Sequence, residues 1–145
     1  MNIILNPIFL SVFVSVVSAQ IIKTILDIIT NKHFDWRSLR RGAGMPSSHT
    51  ATVTSLTLAV YLIEGYTTVF LVTLILSIIV IRDVIGDKIF ATHQENIMNR
   101  LIQQIIRHEK VQWNHLIGHT LVEVFFGMLL AVCVTFAVFY TLGTL

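Results

Sequence analysis

Two short polar stretches contain the residues whose types and spacing could do chemistry. Residues 44–49 (GMPSSH) place two hydroxyls and the His49 imidazole directly before an apolar run. Further along, His119 stands just before another apolar run, and Glu123 follows it by four residues. Helical residues four apart are neighbours on one face, so Glu123 can orient the His119 imidazole. A histidine oriented by a carboxylate can act as a nucleophile, and a second histidine can protonate the leaving group.

The first of these stretches also suits a phosphate group. Ser47 and Ser48 offer hydroxyls, and the start of the helix that follows offers backbone N–H groups and the positive end of its dipole. Gly44 lets the backbone approach a ligand closely. Basic residues that could balance phosphate charge are Lys23, Arg40, Arg41 and Lys88. Together these residues predict phosphoryl transfer through a phosphohistidine, a reaction that requires no metal ion or other cofactor, so we expect none.

The composition indicates what kind of protein carries these stretches. Of the 145 residues, 54% are hydrophobic and only 12% are charged, whereas soluble domains average about 25% charged residues. So little polar surface cannot coat a soluble globule, and the sequence therefore predicts an integral membrane protein. The length predicts a single membrane domain over residues 1–145. A formal net charge of only +2 gives no reason to expect a nucleic acid partner.

Four apolar runs predict an all-α bundle of about four transmembrane helices. They cover about residues 7–29, 48–63, 66–81 and 120–142, and the second and third are short for a span of roughly 20 residues. The segment 82–118 has apolar residues at helical spacing and a polar opposite face, which is typical of an amphipathic helix at the membrane interface. A helix packed on a partner subunit is the alternative interpretation of that segment.

The distribution of basic residues predicts the orientation in the membrane. All ten Lys and Arg residues lie at Lys23, in residues 32–41 or in residues 82–110. If all four runs span, these segments share one side, which the positive-inside rule makes cytoplasmic, with both chain termini outside. The ionisable residues at the same depth then surround one polar cavity that opens to the cytoplasm; they are Lys23, Asp27, His49, Asp83, His119 and Glu123.

Both polar stretches resemble the signature motifs of a small bacterial membrane family. It is the acid phosphatase/vanadium-dependent haloperoxidase-related family, also described as the divergent type 2 phosphatidic acid phosphatases, and the resemblance covers about residues 15–130. In the wider superfamily, a Pro-Ser-Gly-His motif contacts phosphate and supplies the acid, and a later His-x-x-x-Asp motif supplies the nucleophile. The resemblance therefore implies His119 as nucleophile, Glu123 as its orienting carboxylate and His49 as general acid. The implied phosphate-binding residues are Ser47, Ser48, Lys23, Arg41, Lys88 and Asp83.

Two departures from the superfamily pattern affect the expected cations. Trp113 stands where the superfamily has an arginine six residues before the nucleophile. Residues 83–88 (DVIGDK) resemble the family's Asp-Ala-x-Gly-Val-Arg stretch but place Lys88 at the arginine position. Lysine cannot make the bidentate phosphate contact that arginine makes. Lys23 and Arg41 are assigned in place of the superfamily's Lys-x6-Arg-Pro motif, which is absent.

This resemblance leads to two hypotheses about function. The first is a phosphatase of the bacterial plasma membrane that hydrolyses a lipid phosphomonoester at the cytoplasmic face. Its substrate would be of the phosphatidate, phosphatidylglycerophosphate or polyprenyl phosphate type. The second, which the altered cations favour, is a catalytically silent membrane module that binds a lipid phosphate or a protein partner. Since the superfamily core has six helices, we also expect a homodimer that completes the bundle.

Several of these residues also have a purely structural interpretation. Thr120 and Glu123 have the spacing of a capping box, in which the glutamate contacts the Thr120 N–H and does not orient His119. Ser47 could be a simple helix N-cap. Lys23 could extend to the membrane interface, and Asp83 could pair with Arg82. The sequence leaves these alternatives open.

Overall fold

The computed structural model describes residues 6–31, 44–105 and 119–144, which form four helices. These are α1 (Pro7–Asn31), α2 (Ser48–Glu64), α3 (Thr68–Ile105) and α4 (Leu121–Thr141). No strand occurs in these three segments, and the predicted all-α fold is confirmed. The predicted phosphate ligand Arg41 lies outside the described residues, as do Arg40 and Trp113.

Three of the four helices are long and apolar enough to cross a membrane. They are Pro7–Thr30 of α1, Thr68–Ile102 of α3 and Leu121–Thr141 of α4. Helix α2 has 17 residues, somewhat fewer than the roughly 20 that a full span needs. It packs against α1, α3 and α4, so α2 is the helix around which the other three are arranged.

Helix α3 is longer than the sequence predicted. The apolar run was expected to end at Ile81 and a separate amphipathic helix to follow, but α3 continues without a break for 38 residues. The described part of the amphipathic segment, residues 82–105, is therefore helical, as an extension of the third apolar helix. No proline interrupts it, and the single Gly86 has open space around it. An isolated glycine costs a helix only about 1 kcal/mol, which is too little to end it.

Helices α1, α2 and α4 pack through small residues spaced four apart. One buried position from each helix, Ala19, Ala51 and Ala131, forms a common contact cluster. The repeat of small residues continues along each helix through buried positions: Ser11, Ser15 and Ala19; Ser47, Ala51, Ser55 and Ala59; Gly127, Ala131 and Thr135. Since lipid gives apolar helices no hydrophobic reason to associate, close backbone approach through small residues supplies the packing.

Helix α3 packs along α2 and is joined to it by hydroxyl groups. The Thr57 and Ser77 hydroxyls are 2.7 Å apart, and Ser77 Oγ also donates to the Val53 carbonyl at 3.0 Å. The two helices are connected by a tight turn, in which Gly65 adopts a φ of 68°. The Gly65 N–H donates to the Tyr61 carbonyl at 2.9 Å, a bond that closes the end of α2. Helices α2 and α3 therefore form a helical hairpin.

Candidate active site

Backbone contacts bring the two polar stretches together. The Ser47 N–H, just before α2, donates to the Glu123 carbonyl in the first turn of α4 at 3.0 Å. Gly127 makes this approach possible, because a Cβ atom there would lie 2.6 Å from the Ser47 carbonyl oxygen. The start of α2 and the start of α4 are thus fixed to each other before any catalytic side chain is considered.

His119 is held from two sides in a buried position. Its backbone N–H donates to the Val84 carbonyl of α3 at 3.0 Å, and its Nδ1 is 2.9 Å from Glu123 Oε2. The side chain is only 2% exposed. With Glu123 ionised, Nδ1 carries the proton and donates it to the carboxylate. The other ring nitrogen, Nε2, is buried without a hydrogen-bond partner among the described residues, so its lone pair is available for chemistry.

Glu123 both caps α4 and contacts His119. Its Oε2 accepts a hydrogen bond from the Thr120 N–H at 3.1 Å, while Thr120 Oγ1 accepts one from the Glu123 N–H at 3.3 Å. These two bonds form a complete capping box. The same Oε2 lies at hydrogen-bond distance from His119. The two interpretations that the sequence left as alternatives therefore occur together, and the capping bonds fix the carboxylate that faces the imidazole.

His49 faces His119 from the first turn of α2. The two ring centroids are 5.8 Å apart, with an angle of 62° between the ring planes. His49 is exposed, whereas His119 is buried. A nucleophile lies about 3 Å from the atom that it attacks, and a general acid lies about 3 Å from the oxygen that it protonates. The separation is thus compatible with a single phosphate group shared between the two imidazoles.

Ser47 is the N-cap of α2. Its Oγ accepts hydrogen bonds from the Thr50 N–H at 3.3 Å and from the Thr50 hydroxyl at 3.0 Å. Ser47 is fully buried, whereas Ser48 is half-buried. The capping alternative for Ser47 is therefore present in the structure. Of the two serines, Ser48 has the more accessible side chain at the helix start.

Lys23 reaches the same region from α1. It is only 6% exposed, and a Cβ atom at Gly44 would lie 2.7 Å from the Lys23 Cε. Gly44 has a φ of 129°, a conformation that L-residues rarely adopt. The Lys23 ammonium interacts with the charges of Glu123 and Asp27. Lys23 is therefore buried beside the predicted site and does not extend away to the membrane interface.

The surroundings of His119 keep its imidazole neutral. Burial lowers the pKa of His119, because a buried imidazolium loses its hydration. The hydrogen bond and the charge of Glu123 act in the opposite direction, and the nearby positive charges of Lys23 and His49 lower the pKa further. A neutral His119 with a proton on Nδ1 has a free lone pair on Nε2, which is the state that a nucleophile requires.

The two predicted ligands on α3 stand apart from the histidines. Asp83 is exposed and Lys88 is half-buried. Within the described segments, no hydrogen bond, ion pair or ring contact joins either residue to His49 or His119, and none joins Asp83 to Arg82. The described residues also contain no group of three His, Cys, Asp or Glu residues that could hold a metal ion.

For three contributors to this site the sequence predicted no structural role, although Gly127 belongs to the second motif that resembles the family. The Val84 carbonyl holds the His119 backbone, Thr50 bonds to the Ser47 cap, and Gly127 provides the close approach of α4. Only Gly127 had a usable signal, since a glycine inside an apolar helix is unfavourable and usually has a packing reason. A backbone carbonyl gives no signal in the sequence at all.

Comparisons with known proteins identify the family of the chain. A family model described as the Divergent PAP2 family matches residues 4–134, which include both polar stretches. The chain belongs to the Divergent PAP2 family. It is also similar to the uncharacterized membrane protein YuiD of Bacillus subtilis (strain 168), with 30% identity over 97% of this chain and 98% of that protein. No solved structure matches the chain. The predicted family is confirmed, and with three apolar helices the chain is an integral membrane protein.

Proposed function

We propose that this protein is a lipid-phosphate phosphatase that works through a phosphohistidine on His119. The observation that carries the proposal is the pairing of a buried His119, 2.9 Å from Glu123, with a second imidazole whose ring centroid is 5.8 Å away. Membership of the Divergent PAP2 family supports a relation to phosphatases. The substrate is a phosphomonoester of the phosphatidate, phosphatidylglycerophosphate or polyprenyl phosphate type.

In the first step, the Nε2 lone pair of His119 attacks phosphorus. The N–P bond forms while the P–O bond to the lipid breaks, and the leaving oxygen takes a proton from a protonated His49. The lipid alcohol departs, and His119 holds the phosphoryl group. Glu123 accepts the Nδ1–H bond throughout, so that the positive charge developing on the His119 ring is stabilised.

In the second step, water attacks the phosphoryl group. His49, now neutral, takes a proton from that water as the new P–O bond forms and the N–P bond breaks. Inorganic phosphate leaves, and both histidines return to their starting protonation states. A group that acts as acid in the first step must act as base in the second, because both steps pass through the same kind of transition state.

The phosphate is bound at the start of α2, in a site that faces the cytoplasm of a bacterial cell. Ser48 and the N-terminal N–H groups of α2 contact the phosphate oxygens, while Ser47 holds that helix start in shape through its cap. Lys23 balances part of the negative charge. The remaining predicted phosphate-binding residues are Arg41, Lys88 and Asp83. A homodimer remains part of the proposal, with the second copy adding helices to the small bundle.

A second candidate function is a catalytically silent module that binds a lipid phosphate or a protein partner. Its support is that, in the described residues, no hydrogen bond, ion pair or ring contact joins the two histidines to Asp83 or Lys88. With Lys23 as its single basic contact, the phosphate would still bind at the start of α2. The negative charge that develops in the transition state would then be less stabilised.

The experiment that separates the two candidates measures phosphate release from a panel of lipid phosphates in liposomes. The wild type is compared with His119→Ala and with the matched control His93→Ala, because His93 is an exposed histidine of α3. We expect release in the wild type and the control, and none in His119→Ala. With labelled lipid phosphate, an acid-labile, alkali-stable protein phosphate should form only when His119 is present. A folded wild type that binds a lipid phosphate but releases nothing would favour the silent module.

A further inference from the structure

A groove of about 490 Å³ runs beside α2, between α3 and α4. Most of its lining is apolar, and every one of the three helices contributes. Its lining includes Thr57 of α2, Ser77 and Ile78 of α3, and Met128 and Val132 of α4. Its size lies within the range of about 300–1,000 Å³ that is usual for ligand pockets.

Measured along the helix axes, the groove begins about one to one and a half turns from the level of the histidines. Thr54 follows His49 by five residues on α2, and Met128 follows Glu123 by five on α4. At 1.5 Å per residue, these lining residues lie about 8 Å further along their helices than the site residues. On α3, Ile81 comes three residues before Val84, whose carbonyl binds the His119 backbone. All three helices thus carry the groove away from the proposed phosphate site and into the bundle.

Two hydroxyls in the groove wall, those of Thr57 and Ser77, already have partners. Thr57 Oγ1 lies 2.9 Å from the Val53 carbonyl oxygen, and Ser77 Oγ lies 2.9 Å from the Thr73 carbonyl oxygen. The two hydroxyls are also 2.7 Å apart, so each has an acceptor for its single proton. An apolar ligand therefore leaves neither of these two hydroxyls unpaired.

Aromatic side chains close the far end. The Tyr61 ring lies 5.0 Å from the Tyr66 ring and 5.4 Å from the Phe70 ring, measured between centroids. From Phe70 to Ile81 the groove follows 11 residues of α3, which is about 16 Å of helix. The groove thus has one end on the side of the histidines and the other end at this aromatic cluster.

We propose that this groove holds one hydrocarbon chain of the lipid phosphate whose head group lies between His49 and His119. The inference rests on the proposed function, and it makes the groove the determinant of chain length. A hydrocarbon chain is the occupant because the groove is mostly apolar, starts near the level of the phosphate site and is open to surfaces that face lipid. Ile78 and Met128 line the groove and are 59% and 41% exposed on helices apolar enough to span, so a chain enters sideways from the bilayer without crossing water.

The first test fills the groove with a large side chain. Val132→Trp places an indole in the lining, and the matched control Leu129→Trp places one on the same helix at an exposed apolar position outside it. We expect Val132→Trp to raise KM for a long-chain phosphatidate roughly tenfold or more, because several buried methylenes lose their contacts. Hydrolysis of dihexanoyl phosphatidate should stay unchanged, and Leu129→Trp should affect neither substrate. Equal effects of Val132→Trp on both substrates, or no effect on either, would show that the groove holds no chain, while the phosphatase proposal would stand.

The second test does not depend on hydrolysis. Phosphatidate with a photoreactive diazirine in the middle of one chain is mixed into liposomes with the protein, and the crosslinks are mapped by mass spectrometry. We expect crosslinks at Leu74, Ile78 and Met128 that disappear in Val132→Trp and persist in Leu129→Trp. Diacylglycerol with the same chain should crosslink there far less, since it has no phosphate to anchor it. Equal crosslinking by both lipids, or crosslinks spread evenly over α3, would overturn the proposal that the groove holds a chain of the lipid phosphate. Selective crosslinks without phosphate release would retain the groove and reject the phosphatase.

Discussion

The two sides of α2 are built differently. Toward α1 and α4, small residues spaced four apart bring the backbones together, and a hydrogen bond joins the Ser47 N–H to the Glu123 carbonyl at 3.0 Å. Toward α3, the Thr57 and Ser77 hydroxyls join the two helices, while the Val84 carbonyl of α3 binds the His119 N–H just before α4. In the most apolar window of each helix, 28% of α4 is buried but only 11% of α3.

The closely packed side holds the reacting groups in position, and the looser side leaves room for the substrate to enter. The His49 and His119 rings belong to the closely packed side, where a shift of one helix would require repacking of a dense interface. The groove belongs to the looser side, where α3 and α4 leave room along α2. A site that handles a membrane lipid needs both properties, because its reacting groups must be held within tight limits while its substrate enters from the bilayer.

The largest expected effect tests the packed side through the orientation of His119. Glu123→Gln keeps the capping box, since glutamine also serves at that position, but it removes the carboxylate from His119. We expect phosphate release to fall about 10²-fold, the scale of a misplaced reacting group, with little change in thermal stability. Glu123→Ala removes both roles and should lower activity and stability together. Full activity in Glu123→Gln would mean that the carboxylate acts only as a cap.

The next effect compares two glycines, one on each side. Gly127→Ala should destabilise the protein by about 1–3 kcal/mol and reduce activity, because the added methyl meets the Ser47 carbonyl at 2.6 Å. Gly86→Ala is the matched control on α3, where a Cβ meets nothing within 4 Å. It should stabilise the protein by about 0.5–1 kcal/mol through helix propensity. Thermal unfolding in detergent measures both. Similar changes in the two variants would remove the contrast between the two sides.

The pH dependence of activity and stability tests the burial of His119 on the closely packed side. Since burial lowers the pKa of His119, the acid limb of kcat/KM should lie below the ordinary imidazole value of about 6.5. Glu123 raises that pKa, so Glu123→Gln should move the acid limb to lower pH still. The unfolded chain binds a proton that the native chain excludes, and stability should therefore fall as pH drops below about 6.5. An acid limb above that value in the wild type would contradict the burial argument.

The smallest effect concerns the looser side alone. Ser77→Ala removes the α3 hydroxyl that contacts both the Thr57 hydroxyl and the Val53 carbonyl of α2. We expect a loss of about 0.6 kcal/mol, the average for a hydrogen bond between membrane helices, and unchanged hydrolysis of a short-chain phosphatidate. Thermal unfolding and phosphate release measure the two quantities. A loss of activity comparable to that of Gly127→Ala would mean that α3 positions the histidines as firmly as α4 does.

The sequence predicted much of this molecule because the relevant signals are local. Apolar runs and helical periodicity located all four helices, and the spacing from His119 to Glu123 indicated a contact within one turn. The same local reasoning failed at residues 82–105, where a change in polarity was interpreted as a new helix. A helix can pass from apolar to polar surroundings without ending. Its end needs a signal such as a proline, and α3 contains no proline.

What the sequence by itself determined is the set of helices, the polar ends that carry the histidines, and the family to which the motifs belong. The tertiary structure decided that His49 and His119, 70 residues apart in the chain, have ring centroids 5.8 Å apart. It also placed Lys23 against Gly44 and gave Glu123 two roles at once. Local propensities specify which residues lie on one face of a helix, but distances between helices depend on how their surfaces pack. Here those distances are determined by small residues such as Gly127 and Ala131, which become meaningful only opposite their partners on α1 and α2.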